Sequence, residues 1–494
     1  MATSELRRAL GLRTVVSTSA GLAFAAIDYL AIGGLIAYAT GGAAWIPILV
    51  AGFLVLLAWG FFGELNGMFP TAAAIRLYMS KAMGDRLALG IAFSYMTTIV
   101  LVVAADAFII GSALAHALGA GRWLALAFVV GLLGLATLSN LAGVRVAGWV
   151  QDLATYAVLA VTTGVAVAAF TLPSFRLSTP LTPLAHHPAG DLVQAVALGV
   201  FLYAAFEWVT TSAEEVRRPT SIARGMLIAI GLLALVCSLV AVAMSGLLDH
   251  AELASAYPQV ILGQRVAGQA GVVLMTAVTA VTALNTFNGG FVTASRFVYA
   301  VAREGNLPRA FSRLNDRAVP FVPVLMLAGA STFVAVIVAA TNSWQVLVAT
   351  GATLEAMIYA VAGVCVHRLR RRLPEAERPH RVRAARVLAP AGVGLFAVLA
   401  LAAGVTVGSR FDPLPLAIVG AMGAAAAAYV LAYLPRLQAA QAARRALAEP
   451  RRRRPPRSAD PAGAVDPMGS GGPMLAVEPV IATDPAGPDG PVPG

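Results

Sequence analysis

The chain has 494 residues, 59% hydrophobic and only 12% charged, with a mean hydropathy of +0.79, which argues against ordinary soluble domains and for lipid as the solvent. The formal net charge of +11 is confined largely to alternate loops, so it reports membrane orientation rather than nucleic-acid binding. With no G-x-x-x-x-G-K-[ST] loop and only short loops between the apolar runs, a nucleotide-driven pump is disfavoured.

In chain order, about twelve windows reach the roughly 20 apolar residues that cross a hydrocarbon core. Their centres fall near Leu30, Leu56, Val100, Leu132, Val161, Leu202, Leu235, Ala283, Val336, Ala360, Leu399 and Ala425. The first run is too long for a signal-peptide core and lacks a convincing cleavage site, so it is expected to remain as a span. Arg7, Arg8 and Arg13 precede it; Arg76, Lys81 and Arg86 follow the second window, Arg145 the fourth, and Arg217, Arg218 and Arg224 the sixth. Arg303, Arg309, Arg313 and Arg317 follow the eighth, and a dense run from Arg368 to Arg386 follows the tenth. The intervening loops hold little beyond Arg122, Arg176, Arg265 and Arg410. The positive-inside rule then places both termini in the cytoplasm of a multi-pass protein of the cytoplasmic membrane.

Residues 1–14 read as a cytoplasmic N-terminal segment and 15–435 as the membrane domain. Beyond about Arg436 the hydropathy collapses into RRRRPPR and a Pro, Gly, Ala and Asp mixture, so 436–494 reads as a disordered cytoplasmic tail. Cys237 and Cys365 lie in apolar windows without a C-x-x-C spacing, which points to small core residues rather than a disulfide or zinc site. The histidines fall in loops or near span ends without metal-ligand spacing, so no cofactor and no intramembrane enzyme is expected.

Acids inside the apolar windows cost about 2.5 to 3.5 kcal/mol each to insert, which makes them functional candidates. Glu64 and Asp152 lie near predicted cytoplasmic ends, where solvation at the interface is the simpler account; Asp28, Asp106 and Glu207 are deeper and read as gating or coupling groups, and Glu355 lies in the tenth window. The first window also contains STSAGLAF at residues 17–24, small and hydroxyl-bearing, and the sixth is interrupted at Tyr203, Ala204 and Ala205. Close helix packing explains small residues in either one alone. Two interruptions five spans apart, however, are the mark of an inverted-repeat transporter, with halves at about 15–172 and 193–368. An unwound helix frees amides for a carboxylate and carbonyls for an ammonium, which suits an amino acid.

Four stretches carry a family resemblance. FEWVTTSAEEVRRP at the end of the sixth window, GELNGMFPTAAAIRLYMSKAMGD after the second, ASRFVYAVAREGNLPRAFSRLNDRAVPFVP after the eighth and RLRRRLPEAERPHRV after the tenth together resemble the signatures of the amino acid, polyamine and organocation permeases, across roughly residues 15–435. The resemblance implies an all-α membrane fold of about twelve helices, a LeuT-type 5+5 inverted repeat with discontinuous first and sixth helices. It further implies substrate between those two helices, with Thr18, Ser19, Ala20 and Gly21 forming the first break and Phe201, Tyr203, Ala204 and Glu207 the sixth-span side. Asn288 and Gly290 would face the site from the eighth span, and Tyr95 and Thr98 from the third.

The sequence also departs from the family pattern. Ser19 or Ala20 stands where glycine is usual, and Val158 stands where many proton-coupled relatives carry a buried lysine. The expected function is a gradient-driven symporter or exchanger of an amino acid, with protons as a coupling ion through Glu207, contact with membrane lipid and no nucleic-acid partner. Asp28 and Asp106 favour a cationic amino acid or polyamine antiporter as the alternative. The degenerate first-break glycines and the long tail favour a third reading, a non-transporting scaffold or sensor.

Overall fold

Apolar windows of this length form helices because a helix satisfies every backbone N–H and C=O within its own segment. The computed structural model describes residues 10–71, 74–143, 148–182, 189–218 and 220–448, so Arg7, Arg8, Arg145 and the tail beyond 448 lie outside the described residues. The chain divides into two units, Met1–Ala443 and Arg444–Gly494, and the apolar helices belong to the first.

Eleven of the twelve window centres fall on helical chain, and the twelfth, Leu202, lies one residue beyond the end of a helix. The first half comprises α1 (Leu12–Ala23), α2 (Ile27–Gly34), α3 (Trp45–Met68), α4 (Ala74–Met83), α5 (Asp85–Ala117), α6 (Arg122–Leu141) and α7 (Gly148–Ala169). There follow α8 (Ala189–Phe201), a 3-10 helix at Phe206–Glu215, α9 (Thr220–Leu247), the short α10 (His250–Leu253) and α11 (Pro258–Arg303). The series ends with α12 (Phe321–Thr341), α13 (Trp344–Arg372), α14 (Ala385–Gly404), α15 (Leu414–Ala428) and α16 (Leu434–Ala448). A two-stranded ribbon, β1 (Thr406–Val407) and β2 (Arg410–Phe411), joins α14 to α15.

Eleven stretches among the described residues are long and apolar enough to cross a membrane. The difference from about twelve windows arises in the first span. Its α1 half has 12 residues, too few to qualify, and its α2 half is continuous with α3 through a π-helical turn and a 3-10 turn at Gly41–Ala44. Gly41, at φ 58° and ψ −148°, supplies the backbone conformation that this turn needs. Near the other end of the chain, the boundary read at 436 falls inside α16, which continues to Ala448.

Burial separates a core from a periphery. The apolar windows of α5 and α13 are each 83% buried, whereas those of α6 and of the last stretch, Leu414–Gln441, are 28% and 17% buried. Phe53, Trp123, Leu138, Trp149 and Phe333 are exposed on the outside of the bundle, which is the lipid face of helices that are apolar all round. At the centre, α1 packs on α7 and α9, while α5 packs on α11, α12 and α13. Three of the buried acids lie on these central helices, Asp106 on α5, Asp152 on α7 and Glu355 on α13.

Candidate functional site

Among the described residues α11 kinks at Ala267 and Gly268, and the first and sixth spans are interrupted; the latter two interruptions define the site. In the first span α1 ends at Ala23, Phe24 leaves the helical region at φ −82° and ψ 84°, and α2 starts after Ala26. Thr18, Ser19, Ala20 and Gly21 are therefore helical, and the break lies at 24–26 rather than where the hydroxyl and small residues cluster. The reason is local. The Phe24 amide still donates to Ala20 O (2.8 Å), so the helix persists through STSAGL, and the Ala25 amide donates to Ala23 O (3.0 Å) and to the Asp28 carboxylate (3.2 Å) instead of continuing the helix.

The second interruption is where the sequence placed it. After Phe201 the chain makes successive tight turns, with Leu202, Tyr203 and Ala204 amides donating to Gly199, Val200 and Phe201 carbonyls, and Ala205 sits in the left-handed region at φ 69°. The chain resumes as the 3-10 helix Phe206–Glu215. A hydrogen bond joins α1 to the 3-10 helix that follows the second interruption, from Ser19 Oγ to Phe206 O at 2.7 Å. Their outer ends are also tied, since Leu10 pairs with Val216 in a parallel bridge.

Asp28 and Asp106 are both buried and both serve the start of α2. Asp28 Oδ2 accepts from the Ala25 amide, and Asp106 Oδ1, reaching across from α5, accepts from the Ile27 amide at 2.9 Å. This is N-capping of a helix that begins inside the protein, where its free amides have no water and its positive dipole end favours a carboxylate. Asp106 Oδ2 has no hydrogen-bond partner.

Glu207 is fully buried one residue into the 3-10 helix, and Tyr95 of α5 donates to its Oε1 at 3.2 Å. The Tyr95 ring stands edge-on to Trp208, with centroids 6.1 Å apart. Thr98, one turn further along α5, is also buried, and its hydroxyl is unpartnered.

Other expected contributors are dispersed. Thr18 is only half-buried on α1. Phe201 packs against Gly351 of α13, a closeness that a Cβ at 351 would prevent. Tyr203 turns away from the first interruption: its hydroxyl donates to Ile48 O of α3 at 2.8 Å and its ring covers Gly52. Ala204 lies in the turn itself. Gly290 faces Ile99 and Val103 of α5 as a packing glycine, and Asn288 is half-buried on α11. One helical turn earlier, Asn285 reaches Thr155 of α7 at 3.5 Å. With Gly21, Phe24, Val158, Leu159 and Thr282 these two residues line a small cavity beside the first interruption, of about 190 Å³. The polar residues at i and i+3 on α11 offered a signal for Asn285, but sequence alone does not choose between the two turns.

The reading of Glu64 and Asp152 as interfacially solvated is corrected. Glu64 is 1% exposed and accepts from Arg370 Nε and Nη2 (2.8 and 2.5 Å) and from the Val382 amide (2.8 Å), with Arg378 Nε at 3.3 Å. Asp152, also buried, accepts from Thr14 and Ser17 of α1. Both acids join helices. Glu64 thereby connects GELNGMF with LPEAERPHRV, two stretches singled out in the sequence.

With the geometry in place, comparison with known proteins is informative. The sequence profile of the amino acid permease family matches residues 14–439. An uncharacterized transporter of Mycobacterium tuberculosis is 29% identical over 324 residues, covering 64% of this chain and 71% of that one. A probable GABA permease of Pseudomonas aeruginosa is 25% identical over 365 residues (69% of this chain, 75% of that one). An aromatic amino acid transport protein of Corynebacterium glutamicum is 25% identical over 389 residues (74% and 80%).

Proposed function

The chain belongs to the amino acid permease family, and from that premise we propose that it is a secondary active transporter moving an amino acid across the cytoplasmic membrane by alternating access. The observation that carries the mechanism is the pair of interrupted helices, at 24–26 and 202–205, joined by the Ser19 to Phe206 hydrogen bond. Helices broken five spans apart fit two inverted repeats whose relative rocking opens the site to each side in turn. The substrate sits between them, with Ser19, Ala20 and Gly21 on one side, Phe201 and Ala204 on the other, and Tyr95, Thr98 and the α11 face carrying Asn288 and Gly290 completing the walls. Glu207 links occupancy to movement of the sixth span. Basic residues in alternate loops support cytoplasmic termini.

Asp28 and Asp106 hold the Ala25 and Ile27 amides, before and at the start of α2, that a substrate carboxylate would otherwise use. On this reading an incoming amino acid carboxylate displaces one of them, and the substrate ammonium meets free carbonyls. The family and the named substrate classes of the relatives, GABA and aromatic amino acids, support a neutral amino acid. The unpartnered Asp106 Oδ2 favours a second reading, a cationic amino acid or polyamine exchanged for a like cation.

A counterflow panel separates the readings. Purified protein in liposomes preloaded with individual amino acids and polyamines is expected to exchange neutral amino acids at least tenfold faster than empty-liposome controls. Exchange restricted to cations would establish the second reading, and exchange of no compound would remove the transporter assignment in favour of a non-transporting role.

A further inference from the structure

The last helix, α16, lies beyond both repeat halves, yet it grips one of them. It continues α15 through a π-helical turn at Tyr429–Tyr433 and meets the turn that ends α11. In that turn Gly305, at φ 85°, donates to Ala302 O (3.0 Å) and the Asn306 amide to Val301 O (3.1 Å), the usual glycine stop of a helix. Three side chains hold it. The Tyr429 hydroxyl donates to Asn306 O at 2.8 Å, Gln438 Nε2 to Asn306 Oδ1 at 3.1 Å and Gln441 Nε2 to Leu307 O at 3.4 Å. Gln441 is buried, and a Cβ on Gly305 would come within 3.0 Å of its Oε1. Beneath them Val430 and Leu434 join Leu89 of α5, Val298 and Val301 of α11 and Leu307 in a hydrophobic cluster separate from the main core. Phe93 of α5 stands edge-on to Tyr429, with centroids 5.5 Å apart.

The polar contacts converge on Asn306, whose side-chain amide has one accepting and one donating end. Gln438 donates to the Oδ1 end, which leaves Nδ2 turned to Glu304 Oε2 at 3.3 Å. The same carboxylate oxygen forms an ion pair with Arg76 Nη1 of α4. The Arg76 side chain is only 13% exposed, so water screens this pair less than an ordinary surface pair. At its other end α4 is held to α13, through Arg372 Nη1 and Lys81 O at 3.3 Å. Arg76 belongs to the first repeat half and Glu304 to the second, so the ion pair ties the halves together. It does so on the face that carries Arg303 and Arg309, the cytoplasmic face on the positive-inside reading.

We propose that α16 is a built-in restraint on the inner face, acting through the Asn306 amide to hold Glu304 against Arg76 and so to keep the two repeat halves together there. The inference rests on the transporter reading and deepens it with a regulatory device. Halves that rock against each other must part on this face in every cycle, so each tie across them has to break. A tie set by a helix outside both halves can be tightened or released without touching the substrate site. Releasing α16 frees the Asn306 amide to rotate, loosens the ion pair and speeds opening.

Two readouts on purified full-length protein test this: hydrogen–deuterium exchange of peptides from α4, and counterflow with whichever amino acid the panel identifies. Gln438 is exposed, so Gln438→Leu removes the donor without disturbing a core. It is expected to raise amide exchange in α4 by threefold or more and to speed counterflow at least twofold. Arg76→Gln should do the same, and the double variant should go no further, because one tie is lost only once. Tyr429→Phe, which gives up a bond to the Asn306 backbone and leaves its side-chain amide oriented, should leave α4 at the wild-type rate. If Gln438→Leu leaves α4 unchanged, or if Tyr429→Phe loosens it equally, the relay through Asn306 is disproved and α16 merely packs on the turn. If α4 loosens while counterflow stays level or slows, the tie does not restrain the cycle. The exchange measurement needs no transport: a protein that moves no amino acid, but in which Gln438→Leu and Arg76→Gln loosen α4 and Tyr429→Phe does not, would overturn the transporter reading and leave the relay from α16 to α4 standing.

Discussion

At the residue scale the structure turns isolated acids into committed partners. Glu64 illustrates the rule that a buried charge must be paired: with three donors converging on a carboxylate that is 1% exposed, it gains little net stability from the pairing but loses much if a partner is removed. Arg370→Met is therefore expected to destabilise the protein by about 3 kcal/mol, and the double variant Arg370→Met, Glu64→Leu by clearly less. Thermal unfolding of the purified variants in one detergent checks this; equal losses in the single and the double would mean that the charge of Glu64 is not what matters. In the same cluster His380 stacks edge-on to Trp59, and burial lowers its pKa below the ordinary imidazole value against a smaller opposing effect of Glu64. The ring is thus neutral at neutral pH and adds no charge to a cluster already holding Arg370 and Arg378. Asp28 and Asp106 belong to the same lesson. Their types and depth were legible, but their role as caps on α2 required knowing that a helix starts at Ile27.

At the element scale the two interruptions have different causes. The first is set by side chains: Asp28 and Asp106 take the Ala25 and Ile27 amides and so stabilise a helix start within the bundle. The second is set by backbone, through Ala205 in a left-handed conformation that costs a residue bearing a Cβ about 1 kcal/mol. Ala205→Gly is accordingly expected to raise stability by up to about 1 kcal/mol, and Ala205→Val to lower it, because a β-branched side chain is poorly tolerated at positive φ. A melting series of the three proteins decides the matter; a Val variant as stable as the wild type would show that the interruption does not require that conformation. The sequence located the second interruption correctly because Tyr203, Ala204 and Ala205 break the apolar pattern themselves. It misplaced the first by three or more residues, because small residues such as Ser19, Ala20 and Gly21 also serve close packing, as Gly21 does against Thr155.

At the scale of the whole molecule, the proposed topology and the shape of the bundle make a joint prediction. A pocket of about 360 Å³ lies between α2, α8 and α13 and is lined by Tyr38, Gln194, Trp344, Gln345 and Gly408 among others. It lies at the end of α13 opposite Arg370–Arg372, and Gln194 holds the ribbon over it by donating to Gly408 O at 2.8 Å. With cytoplasmic termini this mouth faces outward. A cysteine at Gln345 should then react with a membrane-impermeant thiol reagent added outside intact cells, at least tenfold faster than the wild type, whose Cys237 and Cys365 are both buried. Labelling only after the inner face is exposed would invert the topology.

What the sequence determined by itself was set by solvent: windows long enough to cross lipid, the alternation of basic loops and the polar residues that lipid excludes. These are properties of short stretches, and four motifs in order were enough to recognise the permease family. Only the tertiary structure decided what those polar residues do, because a buried carboxylate takes its role from whatever stands opposite it. Glu64 meets Arg370, more than three hundred residues later in the chain; Asp106 meets the Ile27 amide; Glu207 meets the Tyr95 hydroxyl. No window of sequence holds both members of such a pair. The chemistry of the site was set when helices distant in sequence were packed together.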